Sequence, residues 1–301
     1  RLGMFLGGSS RTKEGLEDIE HAKDILLRTR GAEDPFFAPQ VFLEYGRSLA
    51  YDGRLEESLT YVTKAVENRR KNRPGTSYLG SMLELQAFIF TEMGRYSEAV
   101  RAMDEADGLF AKSKVPTSFL AVDNRARYLM ITGRVGEAES VADNFHPLAP
   151  AEGALPADAL RLQTLKADLA LERGDADTAA RLAAQVIQQV AASSVREYVK
   201  PLEARAALIQ GRADLKLGHA SEALPLLQRS VELRAAIVEP ISPGLAVGQI
   251  ALAECYLDLG ESARAIALAD SARKALSAHP ELGLQYLRPM QDLEKRLPRH
   301  R

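Results

Sequence analysis

The chain has 301 residues, 46% of them apolar and 27% charged, with 39 basic and 41 acidic side chains that leave a formal charge of −2. This composition is ordinary for a folded chain and excludes a disordered one, and the evenly mixed charge leaves no basic footprint for a nucleic-acid backbone. No apolar run approaches the roughly 18 residues of a membrane span, and the lone Cys255 closes no internal disulfide, which fits a reducing, cytoplasmic setting.

Alternating β-branched runs are missing, and apolar residues recur at steps of three and four almost throughout, so the predicted elements are helices. The chain opens on Arg1 rather than Met and reads as a trimmed product or a piece of something longer. LGGSSRTKEG is glycine-rich, but it lacks the G-x-x-x-x-G-K-[ST] spacing of a phosphate loop and follows no strand, so it reads as a flexible start. GLEDIEHAKDILLRTR then places Leu16, Ile19, Ala22 and Leu26 on one face and reads as a helix left over from an earlier unit. Residues 1–38 make up this leading region.

From residue 39 to 276 one pattern repeats. Gly53, Gly94, Gly133, Gly174, Gly218 and Gly260 follow each other at intervals of 41, 39, 41, 44 and 42 residues. Seven positions before them stand Gly46, Ala87, Ala126, Ala167, Gly211 and Ala253; five positions after them stand Ser58, Ala99, Ala138, Ala179, Ala223 and Ala265. Small residues at two fixed depths are what two antiparallel helices need to approach within about 8–10 Å, and the glycine suits the left-handed cap that ends the first of them. Larger residues such as Leu49, Phe90, Leu129 and Tyr256, four positions before the glycine, fill the space around each contact; Asp214 breaks that rule in the fifth copy. Proline-bearing linkers, RKNRPGTSYLG, AKSKVPTSF, HPLAPAEGALPAD and VEPISPGL, separate the copies. The basic run Arg69, Arg70, Lys71 and Arg73 ends a second helix, where cations complement the helix dipole. Residues 277–301 close the chain with a cap, in which Leu282, Tyr286, Met290, Leu293 and Leu297 share a stripe and Pro289 should start or kink the helix.

The stretches GRSLAYDGRLEES, AFIFTEMGRYSEA, ARYLMITGRVGEA, GRADLKLGHASEA and AECYLDLGESARA resemble the tetratricopeptide repeat, over about residues 40–276. The resemblance implies an all-α, right-handed superhelical solenoid of antiparallel helix pairs, with six full repeats plus flanking helices and an open concave groove. The consensus Trp is replaced by Phe42, Leu83, Val122, Gln163, Ala207 and Gln249. The period exceeds the usual ~34 residues, which is similar to the longer repeats of kinesin light chain and of several bacterial regulators; lengthened second helices and linkers would hold the extra residues. The last sixty or so residues resemble the end of repeat regions attached to bacterial Ser/Thr protein kinases and transcriptional regulators, although H-R-D and D-F-G do not occur here.

Signatures of chemistry are scarce. His21, His146, His219, His279 and His300 are scattered, with no i, i+3 or i, i+4 pair to begin a metal site. No flanking sequence supports a Ser-His-Asp or Cys-His pair, and Cys255 reads as a small packed residue. No cofactor is implied. A helical toroid that cleaves sugars with converging acids is disfavoured by the absence of Trp. The first helices should line the groove, with the residue after each small position pointing into it: Arg47, Phe88, Arg127, Asp168, Arg212 and Glu254. Neighbouring candidates are Glu92, Asp123, Asn124, Arg161, Arg205 and Asp258. Arg47 and Arg127 with Asn124 suit an acidic peptide segment, and Phe88 supplies an apolar contact. The function expected from these residues is a non-enzymatic protein–protein interaction module that binds a partner peptide or helix and senses or recruits for a larger bacterial signalling protein. The alternatives are a peptide-sensing regulatory domain and, further off, a toroid hydrolase. Neither nucleic acid nor a membrane is an expected partner, and a second copy of the chain stays open as one.

Overall fold

The structure, a computed structural model, describes residues 12–147, 149, 156–192 and 196–298. The glycine-rich start and His300 lie outside the described residues, as does part of the linker after His146. Among the described residues there are fourteen helices and no strand. A leading helix α1 (Thr12–Thr29) is followed by six pairs: α2 (Ala38–Asp52) with α3 (Leu55–Asn72), α4 (Ser77–Glu92) with α5 (Tyr96–Ser113), α6 (Phe119–Ile131) with α7 (Val135–Asp143), α8 (Ala157–Arg173) with α9 (Ala176–Ala191), α10 (Arg196–Lys216) with α11 (Ala220–Ala235), and α12 (Pro243–Asp258) with α13 (Ser262–Ser277). Helix α14 (Leu284–Arg296) closes the series. The chain falls into two compact units: one runs to Tyr128 and includes Glu281–Gly283, the other holds Leu129–Pro280 and continues from Leu284.

All six capping glycines have φ between +71° and +92°. Beyond each, the following amide donates back to the carbonyl five positions earlier: Arg54 to Leu49, Arg95 to Phe90, Arg134 to Leu129, Asp175 to Ala170, His219 to Asp214 and Glu261 to Tyr256. This is the Schellman closure, which satisfies carbonyls that the helix end leaves open. It uses the backbone of the residue four before the glycine, which is why Asp214 is tolerated there. The side chain of Asp214 is buried all the same, and that burial raises its carboxyl above the usual range.

The twelve small residues are all buried. Ser58 is the one with a polar side chain, and its hydroxyl donates to the Gly46 carbonyl at 2.6 Å, so no buried donor is left open. Within the first unit α1 packs its Ile19 against Tyr45 and Leu49 of α2, as a residual second helix should. Within the second unit Ala167, Ala170 and Leu171 of α8, Ala176, Ala179 and Ala183 of α9, and Ile209 and Ala213 of α10 form one cluster. A fully buried leucine such as Leu171 contributes about 1.5–3 kcal/mol. Each pair therefore completes its core only with the next pair's first helix.

One local expectation is corrected. Second helices of 16–18 residues are the rule, but α7 has nine, because the chain runs into Pro147 and cannot continue. Extra length appears instead in the first helix α10, with 21 residues. Of the two places open to Pro289, the start of the last helix or its interior, it takes the second, five residues after Leu284 in α14, while Met290 and Leu293 are buried.

Candidate functional site

First helices meet second helices on one side and touch each other on another: α2 contacts α4, α8 contacts α10, and α10 contacts α12. On that shared face the residue two before a capping glycine meets the residue six before the next one. In the first unit Arg127 of α6 lies 3.2 Å from Glu92 of α4 and 3.3 Å from Asp123 of its own helix. In the second unit Arg212 of α10 lies 4.0 Å from Glu172 of α8, and Arg205 lies 3.0 Å from Asp168. Asp258 pairs with Arg296 of α14, and Glu254 is half-buried, with its carboxyl pushed up by burial against the pull of Arg212 and Arg296.

The candidates thus fall into distinct groups. Glu92, Asp123 and Arg127 come together as an ion cluster, as do Asp168 with Arg205 and Arg212 with Glu172. Arg161 is exposed and pairs with Asp158 of its own helix. Phe88 is half-buried on the α4 face. Asn124 is placed elsewhere: it is 2% exposed, and its amide donates to the Glu84 backbone carbonyl at 2.8 Å, tying α6 to α4. Glu92 is likewise buried, so it anchors Arg127 from behind.

Arg47 sits against Glu44, with Nε 3.3 Å from a carboxylate oxygen, and both side chains are largely covered. The run at the end of α3 divides. Arg70 reaches Glu105 at 2.6 Å and Lys71 lies 3.8 Å from Glu33, ordinary surface pairs worth about 0–1 kcal/mol each. Arg69, however, lies over the Tyr78 ring at 4.5 Å from its centroid. Glu44, Arg69 and Tyr78 escaped the sequence reading, as did Glu84. For Glu84 and Glu172 the signal was present, since both sit on the first-helix stripe; for Arg69 it was hidden in what reads as a solvated helix end.

Glu84 has the strongest electrostatic signature on this face. It is 4% exposed and accepts hydrogen bonds from Ser118 Oγ at 3.0 and 3.2 Å. Burial drives its pKa up to about 7, and Asp107 adds to the rise, while Ser118 and Arg47 oppose it. A small cleft beside it is lined by Met103, Ala106, Asp107, Ala121, Asn124 and Arg125. Cys255 is inert by the same logic: it is buried, its pKa is pushed up to about 11, and its Sγ donates to the Ala220 carbonyl at 3.3 Å. Among the described residues no group of three or more His, Cys, Asp or Glu is placed to hold a metal ion, and no helix is long and apolar enough to cross a membrane.

No family model matches the sequence, and no curated protein does. Solved structures are similar to it. The APC/C hetero-tetramer Cut9–Hcn1 matches at a TM-score of 0.60 and 17% identity, over 96% of this chain and 47% of that one. NprR in complex with its cognate peptide NprX matches at 0.59 and 13%, over 94% and 78%. A tetratricopeptide repeat protein from Parabacteroides merdae matches at 0.52 and 18%, over 95% and 93%. The chain spans about half the length of the Cut9–Hcn1 chain it resembles. At these identities the likeness is one of fold, and it agrees with the helix pairs, caps and small-residue contacts: this is an all-α tetratricopeptide-type repeat solenoid.

Proposed function

We propose that the chain is a non-enzymatic binding module that takes up a peptide or a helix of a partner protein on its first-helix face, in the cytoplasm, as the sensing or recruiting part of a larger bacterial signalling protein. The observation that carries this reading is in the first unit. Three successive first helices, α2, α4 and α6, carry partly exposed Arg47, Phe88 and Arg127 at one register, six before each capping glycine, with partly exposed Tyr78 at the start of α4, mixing guanidinium and aromatic groups as peptide-binding surfaces do. The similar fold of NprR, solved with its cognate peptide, supports it.

Selection of a random linear peptide library on the full chain tests it. Peptides should be enriched, and their binding should be lost in Phe88→Glu and kept in Arg101→Glu, which changes an exposed residue of second helix α5. A library that yields no binder, or binders indifferent to Phe88→Glu, would contradict the reading.

A further inference from the structure

Arg47, Arg69, Glu44 and Tyr78 come from three consecutive helices and gather at one place in the first unit. The Arg69 guanidinium stacks on the Tyr78 ring, and Arg47 is held beside Glu44. Glu44, Arg69 and Arg47 are all within electrostatic reach of the Tyr78 hydroxyl. Neither arginine completes a hydrogen bond through its buried Nε, although that of Arg47 lies 3.3 Å from the Glu44 carboxylate. Glu44 is the carboxylate paired with Arg47; Glu84, on which Arg47 also acts, has its pKa pushed up to about 7 by burial.

Two guanidinium cations against one carboxylate leave a single net positive charge, next to a phenol O–H. We infer that this cluster is a subsite for one carboxylate side chain, Glu or Asp, of the bound peptide. The inference rests on the reading that the first-helix face binds peptide, and it adds the chemistry that face selects. A carboxylate matches the net charge and accepts from planar guanidinium edges in the paired geometry that arginine favours. A phosphate dianion would overcompensate the charge. Elsewhere on the face the equivalent arginines are taken: Arg127 by Glu92 and Asp123, Arg212 by Glu172.

The test uses the full chain at pH 6 and three terminally blocked random dodecapeptide libraries, identical except for a central Glu, Gln or phosphoserine. The Glu library should be retained about tenfold better than the Gln library, the scale of one charge-assisted contact. Arg47→Gln and Arg69→Gln should bring that ratio close to one, with circular dichroism confirming the fold. Tyr78→Phe removes only a hydroxyl and should lower the ratio roughly threefold. Equal retention of the Glu and Gln libraries would overturn the subsite and leave peptide binding standing. Preferential retention of phosphoserine would overturn the choice of carboxylate. Retention of none of the three would overturn both the subsite and the proposed function.

Discussion

Gly46 shows how much the fold asks of a single position. A methyl group placed there would stand 2.6 Å from Val62 Cγ2 and 3.2 Å from the Ser58 carbonyl oxygen. Helix propensity alone favours alanine by about 1 kcal/mol, while overpacking costs about 1–3 kcal/mol. Val62 is β-branched and has essentially one helical rotamer to offer, and the Ser58–Gly46 hydrogen bond keeps the two backbones from parting. Overpacking wins, so Gly46→Ala should lower the unfolding free energy by about 1–2 kcal/mol, read as a lower urea midpoint at unchanged slope. A raised midpoint would mean that the helices stand further apart. Ala223→Leu tests the second depth of contact: Ala223 is fully buried, and its carbonyl lies 3.5 Å from where a methyl on Gly211 would be. Three added carbons there should cost about 3 kcal/mol.

A pair of helices is held to the next by a mixture of apolar and polar contacts, and Glu84 makes one of the polar ones depend on pH. Its folded pKa of about 7 is above the ordinary 4.5, so between those values the folded chain binds a proton that the unfolded chain has released. The contribution to stability is complete below about pH 4.5 and is lost as pH rises through about 7. Burial sets that value, Ser118 of the segment before α6 and Arg47 of α2 hold it down, Asp107 of α5 adds to it, and Arg125 of α6 lines the adjoining cleft. Glu84→Gln should therefore be more stable than the native chain at pH 8, by about 1–3 kcal/mol, and nearly equal to it at pH 5. A constant difference across that range of thermal melts would place the titration elsewhere. The sequence made the helices legible at this scale because their signals are local: a glycine at a left-handed cap and a small residue seven before it need no knowledge of the rest of the chain. The ionic partners were not legible. Arg127 meets Glu92 across 35 residues, and only the observed stacking fixes which turn of α6 faces which turn of α4. Asn124 carries the same lesson: on a helix stripe it looks available, and it is consumed by a backbone carbonyl of the helix before it.

Across the molecule, each pair buries its apolar face only against its neighbours, so the stability of each unit should grow pair by pair and not from one shared core. The same stacking sets the first helices side by side and leaves their shared face to the partner. In the second unit that face is largely neutralised by its own ion pairs; in the first it keeps Tyr78, Phe88 and an excess guanidinium. The most direct measurement is amide hydrogen exchange of the full chain with and without a saturating peptide selected from the library. Added protection should concentrate in α2, α4 and α6 of the first unit and in the last turn of α3, where Arg69 lies. Protection confined to the rest of α3 and to α5, the second helices of that unit, would contradict the account.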